Sequence, residues 1–140
     1  MKIYILLVVS VISILIASCS KEEDAPVYAA PITILQPSTD PANIVKGGSI
    51  KYEVRFSNDE YIDSAWVSYQ IDSFGLGYDN KRKDSIVNKA VYKTDRNNEK
   101  TLNGSFLPHA FPAVGKKIYL AVRMRSKNRN PEKILPLIVN

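Results

Sequence analysis

Hydrophobic and polar residues alternate along three stretches of the chain, with the two-residue repeat that is typical of a half-buried β-strand. The apolar positions are Ile50, Tyr52, Val54 and Phe56, then Ala65, Val67, Tyr69 and Ile71, and finally Ile118, Leu120, Val122 and Met124. Polar or charged residues occupy most of the positions between them. The pattern predicts antiparallel strands over residues 50–57, 65–73 and 116–125, each with one face in a core and one in solvent.

The same parity predicts which side chains are buried. Those expected at the centre of the core are Val54, Phe56, Val67, Tyr69, Leu120 and Val122. Those expected to point outward are Lys51, Arg55, Arg123 and Arg125. Trp66 is also expected on the outer face, because turning it inward would bury Ser68 and Gln70 without partners.

Four shorter stretches, over residues 32–35, 86–93, 101–107 and 134–139, are further strand candidates. Clusters of Gly, Pro, Asn and Asp separate the stretches, and no long segment repeats with a helical period. About seven short strands in roughly 110 residues is the number expected of an immunoglobulin-like sandwich. The predicted fold class is therefore all-β, an antiparallel β-sandwich of about seven strands.

Two of these stretches carry a resemblance to a known group of domains. Residues 48–57 read Gly-Ser-Ile-Lys-Tyr-Glu-Val-Arg-Phe-Ser, and residues 64–70, after an acidic turn, read Ser-Ala-Trp-Val-Ser-Tyr-Gln. This resembles the immunoglobulin-like or fibronectin-III-like domains of Bacteroidetes surface lipoproteins. The resemblance implies that the strands over 65–73 and 116–125 are neighbours, so Tyr119 would share the outer face with Trp66. It implies a fold and not an activity.

The first 18 residues have the pattern of an export signal. Lys2 precedes an apolar run over 3–16, which is shorter than the about 20 apolar residues that a membrane span needs. Ala17 and Ser18 then precede Cys19, the only cysteine in the sequence. This resembles the bacterial lipobox, whose cysteine receives a diacylglyceryl group and becomes the acylated N-terminus. The alternatives are an ordinary signal peptide or an N-terminal membrane helix with a stray cysteine.

Residues 20–24, Ser-Lys-Glu-Glu-Asp, resemble the acidic export tag of surface-displayed Bacteroidetes lipoproteins, and a solvated spacer is the alternative. The predicted organisation is a lipoprotein signal peptide over 1–18, a lipidated tether over 19–30 and one sandwich domain over 31–140. The extended tether would reach roughly 40 Å, at about 3.3 Å per residue. We expect an outer-membrane lipoprotein, exposed at the cell surface, with covalent lipid on Cys19 and no other cofactor.

Few residues favour catalysis. His109 is the only histidine and lies in a predicted loop, where we expect its ring to be satisfied by a neighbour. With the one cysteine assigned to the anchor, neither a nucleophilic triad nor a zinc cluster can be assembled. The carboxylates are scattered, and no ordered calcium-loop motif connects the candidate ligands Asp59, Glu60, Asp63, Asp79 and Asn80. We therefore expect neither an enzyme nor a metal site.

The formal net charge of +5 draws attention to four basic residues at a spacing of two: Arg123, Arg125, Lys127 and Arg129. They could bind an anionic glycan, a lipopolysaccharide phosphate or an acidic protein. The alternative is a solvated sheet face that discourages edge pairing. An exposed Trp66 with Tyr119 nearby would suit stacking on sugar rings or anchoring a protein. The candidate ligand or partner face is therefore Trp66, Tyr119, Arg123 and Arg125.

The sequence predicts a non-catalytic binding or assembly module in an envelope complex, such as a nutrient-uptake or adhesion assembly. One alternative is a carbohydrate-binding lipoprotein that uses the aromatic face, and another is a structural spacer. The lipid anchor would provide the membrane contact. Nucleic acid is not expected as a partner of a lipid-anchored extracellular domain.

Overall fold

The computed structural model describes residues 30–58, 61–92 and 98–140. Cys19, the predicted signal peptide and all of the predicted tether except residue 30 lie outside these ranges. The candidate calcium ligands Asp59 and Glu60 lie outside them as well. Within the described ranges, no helix has the length and apolar character that crossing a membrane requires.

Strands make up the regular structure of the described residues, and they form a β-sandwich as predicted. They are β1 (Ile32–Gln36), β2 (Ala42–Ile44), β3 (Ile50–Ser57), β4 (Ile62–Asp72), β5 (Ser85–Val91), β6 (Glu99–Phe106), β7 (Lys117–Ser126) and β8 (Glu132–Val139). One sheet has the order β1-β3-β6, and the other has the order β2-β8-β7-β4-β5. The order β1-β3-β6 opposite β8-β7-β4 matches the strand order of immunoglobulin-type sandwiches. As the resemblance implied, β4 and β7 are neighbours.

Two details of the predicted fold are corrected by the structure. The described residues form eight strands where about seven were predicted, and β2 pairs in parallel with β8, with Ala42 opposite Leu137. β2 has only three residues, which are too few to show an alternation, and it was therefore not predicted. Through β2 the chain crosses from one sheet to the other directly after β1.

The core lies between the sheets and contains all six residues predicted at its centre, five of which are completely buried. On neighbouring strands β4 and β7, Val67 stands opposite Val122 and Tyr69 opposite Leu120, so their side chains share the inner face. A bulge between Ile62 and Ser64 shifts the parity of β4, so Ile62 also enters the core. Lys51, Arg55 and Arg125 are exposed as predicted.

The two ends of the sandwich differ in what they carry. The chain enters at the near end, where the amide of Ser57 donates to the carbonyl of Pro31 at 3.0 Å. At the opposite end, which we call the far end, Lys117 at the start of β7 stands opposite Asp72 at the end of β4. The far end comprises the loop over 45–49, the residues 73–77 that follow β4, and the loop over 107–116. Pro31, where the described chain enters the sandwich, and these loops therefore lie at opposite ends of the domain.

Candidate functional site

The four residues of the predicted ligand face all lie on β4 and β7, with their side chains on the outer face of the five-stranded sheet. Trp66 stands opposite Arg123, and Tyr119 stands opposite Gln70. The outward orientation of Trp66 follows from its neighbours Ala65 and Val67, which are both completely buried. The predicted parity of β4 is thus confirmed.

Trp66 is half-buried and does not form a shared platform with Tyr119, which corrects the expectation that the two rings are within reach. Arg123 and Tyr119 are four residues apart on β7, or about 13 Å at about 3.3 Å per residue. The neighbour of Trp66 on its other side is Lys89 of β5, whose ammonium lies 5.8 Å from the centre of the indole ring. That distance is within the range of a cation–π contact.

The loop over 73–84 contacts the part of the outer face that contains Tyr119. Tyr78 of this loop packs edge-on against Tyr119, with 5.9 Å between ring centres. Gln70 fixes the loop through its amide, because Nε2 donates to the carbonyl of Asp79 at 2.9 Å and Oε1 accepts from the amide of Asp79 at 2.9 Å. The partner of Tyr119 is therefore a loop residue and not Trp66.

Arg123 is the centre of a polar network that joins this loop to the sheet. Its Nη1 lies 2.6 Å from Oδ2 of Asp84 and its Nε lies 2.8 Å from Oε2 of Glu132. Its Nη2 donates to the hydroxyl of Tyr78, and its Nη1 also donates to the hydroxyl of Ser68 at 3.2 Å. Two carboxylates thus neutralise the guanidinium, so Arg123 holds the loop in place and is not a free cation for a ligand.

Electrostatics in this network follow from burial and the two carboxylates. Burial alone would lower the pKa of Arg123, but its hydrogen bonds to Asp84 and Glu132 outweigh that and raise the pKa above its ordinary value. Burial, together with the hydrogen bond to Asp84, raises the pKa of Tyr78 to about 12. Both groups therefore keep their proton throughout the physiological range.

Asp72 holds the first turn of the loop. Its Oδ1 accepts from the amides of Gly75 and Leu76 at 2.8 and 2.9 Å, and its Oδ2 accepts from the amide of Gly77 at 2.9 Å. The two glycines adopt φ values of +76° and +92°, which side chains rarely permit. Burial of the carboxyl would raise its pKa, but the three amides and the charge of Arg82 outweigh it, so the pKa of Asp72 is lowered. The carboxylate therefore stays charged and fixes this turn.

The other basic residues of the predicted stripe do not continue along the sheet. Arg125 is exposed on β7, opposite Ser64. Lys127 and Arg129 follow the end of β7, where the carbonyl of Arg129 accepts from the amide of Ser126 at 2.9 Å. On the strand itself the stripe is therefore Arg123, which is neutralised, and Arg125.

His109 is an exposed loop residue with a satisfied ring, as predicted. Its Nδ1 lies 2.8 Å from the hydroxyl of Tyr69, and its backbone amide donates to the same oxygen at 3.0 Å. Within the ranges that the structure describes, no group of three or more His, Cys, Asp or Glu side chains is arranged to hold a metal ion. His109 therefore packs the loop over 107–116 against the inner face of β4.

Shallow grooves border the loop over 73–84. One has a volume of about 510 Å³ and is lined by Leu76, Gly77, Tyr78, Asp79, Asn80, Arg82 and Glu132. Another, of about 370 Å³, is lined by Asp72, Gly75, Leu76, Gly77, Gly115, Lys116, Lys117 and Tyr119. Both are open to solvent, so a small molecule in either would remain largely hydrated.

Four residues of this site escaped sequence reasoning: Gln70, Tyr78, Asp84 and Glu132. The available signal was the polar run of alternate positions on β4, Ser68, Gln70 and Asp72, which we expected to face solvent. All three are buried instead. Polar residues on one face of a strand therefore do not show that the face is solvated, because a long neighbouring loop can cover them.

Comparison with known proteins adds little to this picture. The chain matches no protein-family model and no curated protein. Among solved structures it is similar to a superoxide reductase (neelaredoxin) from Ignicoccus hospitalis, with 8% identity and a TM-score of 0.49, over 79% of this chain and 81% of that chain. At these values the likeness carries no argument about what this chain does.

Proposed function

We propose that this protein is a lipoprotein of the outer membrane or cell surface, held by acyl chains on Cys19. Its sandwich serves as a non-catalytic binding or assembly module in an envelope complex. The resemblance to a lipobox and to an acidic export tag supports the localisation, and the loop over 73–84 supports the binding role.

One observation carries the binding role: this loop is firmly held yet presents two large apolar side chains to water. Phe74 and Leu76 are 80% and 79% exposed. The backbone between and beside them is fixed by three hydrogen bonds to Asp72. Exposed apolar groups gain free energy only when a partner covers them, and a fixed loop loses little conformational entropy on binding. The arrangement suits a preformed contact surface.

The polar groups of the outer face support a non-catalytic role. Asp84 and Glu132 both bind Arg123, and Asp72 binds backbone amides. A general acid or base needs an oxygen that can reach a substrate, and these carboxylates are already engaged. Their bonds account for the position of the loop.

The two alternatives have weaker support from the geometry. A sugar-binding platform would rest on Trp66 without Tyr119, because Tyr119 packs against Tyr78. A structural spacer would gain nothing from exposing Phe74 and Leu76. A glycan array would favour the sugar alternative if the wild type bound a glycan and Trp66→Ala did not.

Metabolic labelling with an alkyne fatty acid tests the anchor. We expect the wild type and Ser20→Ala to incorporate the label, because both keep the acceptor sulfur. Cys19→Ser is expected to remain unlabelled, and equal labelling of this variant would refute the anchor.

Purification of the tagged full-length protein from native outer membranes in mild detergent tests the binding role. We expect a complex of defined mass that contains a second envelope protein. Migration as the free monomer in every detergent tried would contradict an assembly module.

A further inference from the structure

We propose that the far end of the sandwich docks a protein that presents acidic side chains around an apolar recess. This inference rests on the binding function proposed above and names its surface and the chemistry of its partner.

The far end concentrates exposed apolar side chains. Of the eight large apolar residues that are exposed within the described ranges, five lie on its three loops: Val45, Phe74, Leu76, Leu107 and Val114. Of the other three, Ile86 and Val91 are on β5 and Tyr61 is at the near end. Apolar residues that gather at one end, and not singly over the surface, indicate an interaction site.

Backbone contacts join these loops into one surface. The amide of Gly115 donates to the carbonyl of Val139 at 2.7 Å, and the amide of Lys46 donates to the carbonyl of Asn140 at 3.1 Å. The Lys116 ammonium lies 3.3 Å from the point where a side chain on Gly75 would begin. The loops over 45–49 and 107–116 are thus held together through the end of β8, and residues 73–77 lie against the second of them.

The charge of this surface selects an acidic partner. Lys46, Lys116 and Lys117 lie among the apolar residues. The one carboxylate side chain in residues 45–49, 72–77 and 107–117 is that of Asp72, which is buried on three amides. Asp40, exposed in the adjoining loop over 37–41, offsets one of the three lysines, so the surface remains positive and apolar. Such a surface favours a partner with carboxylates around an apolar centre.

Two other occupants fit less well. A second copy of this end would bring the lysines of both copies together, which like charges oppose. The described chain enters the domain at the near end, so an anchor before it does not by itself bring the far end to a bilayer. A fixed loop also favours a shaped protein surface over a fluid bilayer.

Site-specific photocrosslinking of the full-length protein in its native host tests the surface. p-Benzoylphenylalanine is placed at Phe74, at Val114 and, as the near-end control, at Tyr61, which is exposed. We expect one and the same protein adduct from Phe74 and Val114 and none from Tyr61. An adduct with a second copy, an equal adduct from Tyr61, or no adduct at Phe74 and Val114 would overturn the proposal.

The crosslinked protein is then purified and titrated with the soluble domain. We expect Phe74→Asp and Lys116→Glu each to weaken binding about tenfold or more, because both act at the centre of the contact. Lys133→Glu, exposed near the start of β8 and away from the far end, is the matched control and should leave binding unchanged. Thermal unfolding of each variant checks the fold, and unchanged binding by correctly folded Phe74→Asp and Lys116→Glu variants contradicts the proposal.

Two further measurements separate the remaining outcomes. In the first, the protein is sedimented with phosphatidylethanolamine–phosphatidylglycerol vesicles. If the wild type binds the vesicles and Phe74→Asp does not, the far end contacts a membrane, and the proposal of a protein partner is overturned. Native gels of solubilised envelope are then compared for the wild type and Phe74→Asp. If a complex forms with both proteins, the far end is not the docking surface, but the proposed binding function stands. If the wild type migrates as a monomer, both proposals are refuted.

Discussion

The two faces of the five-stranded sheet are both buried along β4, but the side chains that achieve this are opposite in character. On the inner face, Ala65 and Val67 are completely buried among other apolar groups. On the outer face, Ser68 is completely buried and Gln70 is 3% exposed, and both bond to groups of the loop over 73–84. Apolar contacts tolerate many neighbours, whereas each buried polar atom needs a particular partner. The inner face therefore provides stability, and the outer face determines where one loop lies.

The largest expected effect is on the inner face. Leu120→Ala should lower the free energy of unfolding by about 2–5 kcal/mol, since it opens a cavity in a completely buried position. Chemical denaturation of the soluble domain measures this, with exposed Val114→Ala as the control. A midpoint that does not move would mean that β7 packs differently.

The next largest effect concerns the polar network on the outer face. Arg123→Met should cost about 2–3 kcal/mol, because it leaves the buried carboxylate of Asp84 without its counter-ion and only neutral donors remain. Arg125→Met, on the same strand and exposed, should change stability by less than about 0.5 kcal/mol. Similar losses in the two variants would show that the network does not stabilise the domain.

Asp72 tests the first turn of the loop without touching the core. Asp72→Asn should cost about 1–2 kcal/mol, because an amide oxygen cannot replace both carboxylate oxygens as acceptors. Hydrogen exchange at Gly75, Leu76 and Gly77 should accelerate while core amides of β7 stay protected. Equal acceleration in both regions would mean that the turn and the core open together.

The same carboxyl predicts an acid limit. Its pKa in the folded protein lies below the ordinary 3.8, so its contribution is complete above pH 3.8 and is lost as the pH falls through the folded value. In acid titrations followed by denaturation, Asp72→Asn should therefore lose less stability below pH 3.8 than the wild type does. If the free energy of unfolding fell equally with pH in both proteins, protonation of Asp72 would not contribute to the loss of stability in acid.

Tyr78 gives the smallest effect, at alkaline pH. Its folded pKa of about 12 exceeds the ordinary 10, so its contribution is complete below pH 10 and is lost as the pH rises through the folded value. Tyr78→Phe should cost about 1 kcal/mol at neutral pH and flatten the decline above pH 10. The titration of tyrosinate absorbance against pH should lose its highest-pH step in this variant. If the titration curve did not change, that step would belong to another tyrosine.

Sequence reasoning succeeded where the deciding interaction is local. The alternation along β3, β4 and β7 placed Val54, Val67 and Leu120 in the core and Trp66 outward, because strand parity depends on adjacent residues alone. It failed for Tyr119, since its partner Tyr78 is 41 positions away in the chain and belongs to a loop without periodicity. The network around Arg123 joins residues that are 39 and 9 positions apart, Asp84 and Glu132, and no spacing rule links them.

The crossing of the chain from β1 to β2 has a mechanical consequence. Residue 30 lies at the near end, and a load applied between it and the far-end loops would run along the strands. Backbone hydrogen bonds in a sheet stand across the strand direction, so such a load strains the β1–β3 bonds together in shear instead of opening them one by one. Directly after β1, the parallel pairing of β2 with β8 ties the same segment to the second sheet. The entry segment is thus fastened to both layers in the geometry that best resists pulling.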